Sequence, residues 1–420
     1  MKNTKKGFTL VELLVVIAIL AILATVAVVG YTSFIDKANT SVDQQAVTQM
    51  NTLLQGLDVN DKPANLFEAI VALRDANVDM EDYKPLSKDM YFFWVKELNR
   101  VVYTDKDYKV VYPENLVETT HKIEDGWYSL SGIVEEDDSW EDAITDGSVS
   151  ISDGAQLVSL MKSFQAGETK GITEIKLTAD IDLRGAAVNF GTVTTNISLI
   201  GEKADGTPVT IYGFRNDTEA FKSAHNDSQE LTSYGFGLFG YLGNGANVTV
   251  KNITIKDAVV DGEGSGVAVL AGYIFEGAKL TVENVTIDNC FVRGEKKTAA
   301  LVGYLYAAGT LNINGKLTVT NTTVRGGREA AGIIAYVARS TYNGKKIDLY
   351  VADDAVISVD VDVAADPTFA FTYVQTRTGY ASLAESDGNY ANKGEKEYFG
   401  ITSHDYWDNS TKDNPAKDLK

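Results

Sequence analysis

The stretch NITIKDAVVDG, residues 252–262, recurs 32 residues later as NVTIDNCFVRG (284–294) and again as KLTVTNTTVRG (316–326). Apolar side chains alternate with polar ones in each copy, which predicts β-strands that bury one face. The same positions are apolar or small in every copy, so the buried face repeats once per period. Four columns align: Ile253, Val285 and Leu317; Ile255, Ile287 and Val319; Ala258, Cys290 and Thr322; Val260, Val292 and Val324.

A second motif recurs beside the first with the same spacing. It reads LFGYL (238–242), LAGYI (270–274), LVGYL (301–305) and IIAYV (333–337), and its tyrosines are 32, 31 and 32 residues apart. A fixed period of this size with few helix signals predicts a solenoid, in which each turn of the chain pairs with the next. Asp257, Asn289 and Asn321 share one position, where the alternation breaks, and we expect a polar ladder at a bend there.

These repeats resemble the GLUG-like right-handed parallel β-helices of bacterial surface proteins, over roughly residues 148–375. The helical pattern at 153–167 and the strand-like ITEIKLTADIDLRG (172–185) are similar to the way those domains begin. The resemblance implies an all-β solenoid domain at 151–375, and the helix would cover its first turn. The polar residues 376–420 are expected to form a tail.

The opposite end of the chain carries a long apolar segment, FTLVELLVVIAILAILATVAVVG (8–30), preceded by three lysines. As a helix it would measure about 34 Å, enough to cross a hydrocarbon layer of roughly 30 Å. Glu12 is its single charged residue, and a carboxylate at that depth is costly unless a partner neutralises it. The charge argues against a secretory signal, the plain alternative.

Gly7, Phe8 and Glu12, in GFTLVE after a Lys-rich leader, resemble the signal of type IV pilins and type II secretion pseudopilins. The resemblance implies that a prepilin peptidase removes residues 1–7, that Phe8 becomes an N-methylated terminus, and that 8–30 forms a transmembrane and filament-core helix. It also implies a partner for Glu12, because the new amine at Phe8 of the same or a neighbouring subunit can neutralise it.

Residues 31–130 continue this resemblance as a pilin-like α+β domain. The helix becomes amphipathic, with Val42, Ala46 and Met50 on one face, and should extend to about Gln55, roughly 70 Å from Phe8. A capping box of Asn65 and Glu68 predicts a second, short helix. Segments 91–95, 99–104 and 108–113 predict an antiparallel meander of three strands.

Residues 131–150 are rich in Asp and Glu, and such a run predicts a solvated linker between the two domains. The run lacks the alternating ligands and the tight glycine turn of a calcium-binding EF-hand loop.

Composition narrows the classes of function. A formal net charge of −20 disfavours direct nucleic-acid binding. One cysteine, Cys290, excludes an internal disulfide and is expected to be a small buried residue. The three scattered histidines offer no zinc spacing, so we expect no metal, no cofactor and no catalytic residue.

The sequence therefore predicts a pilin-like subunit, in a minor or tip position, which passes from the cytoplasmic membrane to an extracellular pilus and displays a β-helix for adhesion. Its expected partners are other pilin subunits, the prepilin peptidase, the membrane and surface carbohydrate. A surface-anchored polysaccharide-binding or polysaccharide-degrading protein that does not polymerise is the alternative, with Asp180 and Asp182 as its candidate carboxylates. The column Tyr241, Tyr273, Tyr304 and Tyr336 is a candidate ligand stripe if it points outward, and a core stack if it points inward.

Overall fold

The computed structural model of the chain is mostly β, with three α-helices and large parallel sheets among the residues it describes. It describes residues 10–58, 62–76, 85–120, 126–130, 136–183, 186, 188–217, 235–262, 266–306, 308–326, 329–337, 348–352, 354–365, 373–374, 382–383 and 391–393. For 10–33 it gives the backbone and, of the side chains, only Leu14.

The N-terminal module consists of two helices and a four-stranded antiparallel sheet in the order β3-β2-β1-β4. Its elements are α1 (Leu10–Gly56), α2 (Leu66–Asp75), β1 (Tyr91–Val95), β2 (Arg100–Thr104), β3 (Val110–Tyr112) and β4 (Trp127–Ser129). The long first helix and the three predicted strands are confirmed, but the sheet has a fourth strand. β4 pairs antiparallel with β1, so β1 is an interior strand of a four-stranded sheet and not the edge of a three-stranded meander.

Both faces of this sheet are covered. Phe92 and Trp94 pack with α1 and α2, whereas Phe93 and Val95 face a second cluster that contains Trp127. The predicted capping box of α2 is present, because the Glu68 N–H donates to Asn65 Oδ1 at 3.0 Å. The aromatic residues of β1 are therefore core residues, as their position in a strand predicts.

The predicted acidic linker is wrong from Glu136 onward. Residues Asp138–Ala143 form a 3-10 helix in which Trp140 is only 1% exposed, and its indole N–H donates to Ser159 Oγ at 2.9 Å. Acidic neighbours hold this turn in place, since Glu136 pairs with Lys162 and Glu141 pairs with Lys170. The segment covers the start of the β region and does not act as a spacer.

The repeat region comprises the parallel strands from Ser148 onward and one helix, α3 (Gly154–Gln165), at its start. Asp153 caps α3 by accepting from the Gln156 N–H at 3.0 Å. The first strands are β5 (Ser148–Ile151), β6 (Glu174–Leu177), β7 (Ile181–Asp182), β8 (Thr192–Val193), β9 (Ile197–Gly201), β10 (Val209–Tyr212) and β11 (Arg215–Asp217). The repeated strands are β12 (Phe239–Leu242), β13 (Asn247–Lys256), β14 (Val259–Gly262), β15 (Val267–Ala268), β16 (Ala271–Ile274), β17 (Lys279–Asp288), β18 (Phe291–Gly294), β19 (Lys297–Ala299), β20 (Val302–Leu305), β21 (Thr310–Gly326), β22 (Glu329–Ala331) and β23 (Ile334–Val337). The last strands are β24 (Asp348–Val351), β25 (Val356–Ala365), β26 (Tyr373–Val374), β27 (Ser382–Leu383) and β28 (Ala391–Lys393).

These strands form three sheets of fourteen, six and four described strands, and each strand pairs in parallel with its copy in the next repeat. The predicted columns are confirmed: Ile253 lies beside Val285, which lies beside Leu317, and all three are fully buried. The strands contribute to one continuous apolar core. Successive repeats thus stack in a solenoid-like arrangement.

Corners with positive φ connect the faces of each repeat. Asp257, Asn289 and Asn321 have φ of 58°, 51° and 50°, so the predicted bend is confirmed, and the Asn289 side chain donates to Asp257 Oδ1. Sequence reasoning missed a second corner at Asn252 and Asn284, with φ of 55° and 53°.

Candidate functional site

Helix α1 joins the predicted processing signal to the folded module. Gly7 and Phe8 lie outside the described residues, and Glu12 lies on α1 while its side chain is outside the description. The helix runs without interruption from Leu10 to Gly56. The segment that carries Glu12 is therefore a direct extension of the helix that packs in the module.

In the part of the chain whose side chains the structure describes, no helix is long and apolar enough to cross a membrane.

The second half of α1 is fastened to the sheet by side chain to backbone hydrogen bonds. Asn51 both accepts from the Val101 N–H at 2.7 Å and donates to the Val101 carbonyl at 2.8 Å. Asn99 donates to the Leu54 carbonyl at 2.9 Å and accepts from the Trp94 indole at 3.2 Å. Buried bonds of this kind fix the helix in one orientation, because leaving a partner unpaired is costly.

The tyrosine column lies on the outer face of the six-stranded sheet. Tyr241, Tyr273, Tyr304 and Tyr336 are paired in register through β12, β16, β20 and β23, and all four are half-buried. After the first three tyrosines, the next residue lies in the core, so the rings are on the opposite side of each strand. Successive ring centroids are 6.2, 5.2 and 5.0 Å apart. The rings contact one another in tilted and edge-on arrangements and lie outside the core, so the inward alternative is wrong.

Three further residues widen this aromatic stripe. Phe275 and Tyr306 stack on each other at 5.0 Å, and Tyr306 lies 5.2 Å from Tyr304. Lys297 places its ammonium 4.6 Å from the Tyr304 centroid and 4.9 Å from that of Tyr336. Sequence reasoning missed these residues, although an aromatic residue two positions after Tyr273 and Tyr304 is a visible signal, since side chains two apart share a face. The aromatic stripe is defined as these six aromatic residues and Lys297.

Gly235, Gly237 and Gly240 have a GxGxxG-like spacing, and close packing within the repeat region accounts for each of them: Gly235 lies beneath the aromatic stripe, and the other two lie against backbone carbonyl oxygens. A Cβ atom on Gly235 would lie 2.6 Å from the Tyr273 ring, and one on Gly266 equally close. Glycine at these positions lets the ring lie flat against the backbone. β-Strand residues, not a helix, follow this segment, so a dinucleotide fingerprint lacks its context.

Of the two candidate carboxylates of the enzyme alternative, Asp182 is half-buried at the end of β7, and Asp180, just before that strand, is held by other residues of the repeat region. Asp180 accepts from the Thr210 N–H at 2.6 Å and forms an ion pair with Lys203 at 2.7 Å, which ties two strand ends together. Cys290 is 3% exposed, and burial raises the pKa of its thiol, so it is unreactive. Among the described residues, no group of three or more His, Cys, Asp or Glu side chains could hold a metal ion.

Comparison with protein families gives one match. Residues 2–28 match the model described as the prokaryotic N-terminal methylation motif. Neither curated proteins nor solved structures gave a match to the chain. The match confirms the pilin-like signal predicted from Gly7, Phe8 and Glu12, and it indicates a type IV pilin-like or pseudopilin precursor. Such a motif implies processing by a prepilin peptidase and assembly with other pilins, and it fits a membrane-anchored precursor that is exported to a pilus.

Proposed function

We propose that the chain is a minor or tip subunit of a type IV pilus-like filament, and that its repeat region is a right-handed β-helix displayed for adhesion. The observation that carries the proposal is the methylation motif at residues 2–28, on a segment that continues as one helix into the buried core of the N-terminal module. The subunit has no enzymatic task in this proposal. Its mass of 45.5 kDa favours a minor or tip position over that of the main repeating subunit.

Glu12 supplies the physical reason for assembly. A carboxylate in an apolar helix is tolerated when a cation lies beside it, and cleavage before Phe8 creates an amine in the same layer. Packing of one subunit against the next then pairs the two charges. Assembly is favoured because it removes an unpaired buried charge.

N-terminal sequencing and mass spectrometry of material sheared from the cell surface test this proposal. We expect a chain that begins at N-methylated Phe8. Glu12→Gln should still be cleaved but should be lost from sheared filaments, because the amide is nearly the same size and cannot neutralise the amine. Val11→Ala, next to it, is the control and should assemble. A surface chain that still carries residues 1–7 would contradict the proposal.

A second candidate function is a membrane-anchored polysaccharide-binding protein that does not polymerise. The aromatic stripe favours it, because half-buried rings on the outer face of a sheet, next to a cation, suit stacking on sugar rings. We expect Tyr273→Ala with Tyr304→Ala to reduce retention of the full chain on insoluble chitin or cellulose. Tyr212→Ala, a half-buried tyrosine on another sheet, should not. Normal surface presentation of Glu12→Gln, with no filament that contains the chain, would favour this candidate over the first.

A further inference from the structure

An outward-facing column of the repeat region is buried. Arg215, Val259 and Phe291 are in register on β11, β14 and β18, and they are 7%, 3% and 6% exposed. Their strand neighbours Val260 and Val292 belong to the core of the repeat region, so this column points to the other side. In the next repeat the same position is Thr323, which is half-buried. Another part of the chain therefore covers this column over three repeats, and the cover ends before Thr323.

Over Val259 and Phe291, the cover is the N-terminal module. Val259 and Phe291 lie in the same apolar cluster as Trp94, Tyr128 and Leu130, and not in the core of the repeat region. Leu130 follows the edge strand β4 and donates its N–H to the Phe92 carbonyl at 3.0 Å. Two side chains of the repeat region thus complete a core that begins on α1, α2 and β1.

A polar contact lies beside this apolar one. The Tyr128 hydroxyl faces the carboxylate of Asp257, which occupies the corner that precedes β14, and the negative charge there adds to the burial that raises the pKa of Tyr128. The Asn289 side chain donates to the same carboxylate. Lys96 of the N-terminal module and Lys256 of the repeat region are the cations that act on Asp257. The remaining charged or titratable groups that act on Tyr128 are Asp182 and Cys290.

We propose that Tyr128, Leu130, Val259, Phe291 and Asp257 form a latch that joins the N-terminal module and the repeat region into one cooperatively folding, rigid unit. The repeat region is then held at one orientation to α1, and a load on it passes directly to the helix that anchors the subunit. This differs from the tethered arrangement that an acidic linker predicts. The latch is independent of whether the repeat region binds a ligand or the chain enters a filament.

Hydrogen exchange of the full chain in detergent micelles, read by mass spectrometry, tests the latch. Phe291→Ala removes a buried ring from the junction, and we expect about a hundredfold faster exchange both in 284–294 and in 91–104 of the other module. Phe275→Ala is the control, since it removes a half-buried aromatic residue from another sheet; it should leave 91–104 unchanged.

Tyr128→Phe is a milder variant in case Phe291→Ala does not fold. It keeps the ring and removes only the hydroxyl that pairs with Asp257, and we expect about tenfold faster exchange on both sides of the junction. The proposal is overturned if Phe291→Ala speeds exchange in 284–294 but leaves exchange in 91–104 unchanged. It is also overturned if Tyr128→Phe changes exchange on only one side of the junction.

Discussion

A buried carboxylate on α1 controls how the helix is attached to the module. Asp43 is 2% exposed and accepts from the N–H groups of Leu86 and Ser87 at 2.7 and 3.0 Å and from the Tyr103 hydroxyl at 3.0 Å. Burial is the main cause that raises the pKa of Tyr103 to about 12, and the Asp43 charge adds to it. The hydroxyl therefore stays protonated and donating throughout the physiological range.

Asp43→Asn should destabilise the module by about 1 to 3 kcal/mol. The amide NH₂ group would replace one of the two accepting carboxylate oxygens and would face hydrogen-bond donors. Urea unfolding of the full chain in detergent, followed by circular dichroism, measures the change. Gln45→Ala, at an exposed position two residues along the same helix, is the control and should lie within about 0.5 kcal/mol of the unaltered chain. Equal midpoints for Asp43→Asn and Gln45→Ala would show that the three hydrogen bonds do not matter.

Asp257 should make the latch sensitive to pH. Burial raises its pKa, while Asn289, Lys256, Tyr128 and Lys96 oppose that rise. A carboxyl whose pKa is higher in the folded than in the unfolded state stabilises the fold below its unfolded pKa of about 3.9, and that contribution is lost as the pH rises through the folded value. We expect the stability difference between Asp257→Asn and the unaltered chain to shift in favour of the variant between pH 4 and pH 7. Urea midpoints at several pH values measure it, and a difference that does not depend on pH would contradict the assignment.

At the scale of single elements, periodicity predicted most of what the structure contains. The alternating columns predicted β13, β17 and β21 and their register, because a one-residue slip would expose the whole apolar face. The short strand β4 was missed, since three residues are too few for a pattern. The 3-10 helix at Asp138–Ala143 was missed because its acidic composition outweighed Trp140, whose burial depends on α3. The outward Val259 and Phe291 were also a signal: two apolar residues at a position that is polar in the next repeat indicate a contact.

One irregularity in the repeat has a local cause. The offset between paired residues is 32 for Gly262 and Gly294, but it falls to 31 for Val267 and Thr298. It returns to 32 beyond the corner where two residues, Gly315 and Lys316, lie opposite the single residue Asn284. The 31-residue spacing of the middle tyrosines is therefore a shorter loop that one added residue later compensates.

The corner ladder makes a prediction at the same scale. Asn321 has φ of 50° and donates its side chain amide to Asp288 Oδ1 at 2.9 Å. A β-branched residue is strained in this conformation by at least about 1 to 2 kcal/mol, whereas glycine adopts it freely. Asn321→Val should therefore lower the free energy of unfolding by about 2 kcal/mol, and Asn321→Gly by less than about 1 kcal/mol. Thermal unfolding compares the two variants, and equal losses would show that the corner is not constrained by φ.

At the scale of the whole molecule, the sequence predicted the N-terminal signal and the repeated parallel strands but not the contact between the two parts of the chain. The N-terminal signal and the 32-residue period are local patterns, and each specifies its own part of the chain. In the proposed latch, Tyr128 meets Asp257 across about 130 residues, and no periodicity encodes such a contact. The aromatic stripe lies between these cases, since its four tyrosines were predicted as a column while their outward direction required the fold.

Net charge should govern how filaments of this subunit associate. In the proposed filament, removal of residues 1–7 takes away three lysines and no acid, which leaves 35 basic against 58 acidic side chains, or −23 per subunit. Filaments of such subunits repel each other, and the repulsion is screened within about 10 Å at 0.1 M salt and about 3 Å at 1 M. We expect sheared filaments to stay dispersed at about 0.01 M NaCl and to bundle as the concentration approaches about 1 M, as light scattering and electron microscopy would show. A triple variant, Glu114→Gln with Asp142→Asn and Asp354→Asn, neutralises three exposed acids and should bundle at lower salt. Bundling that is independent of salt in both proteins would mean that contacts other than charge control lateral association.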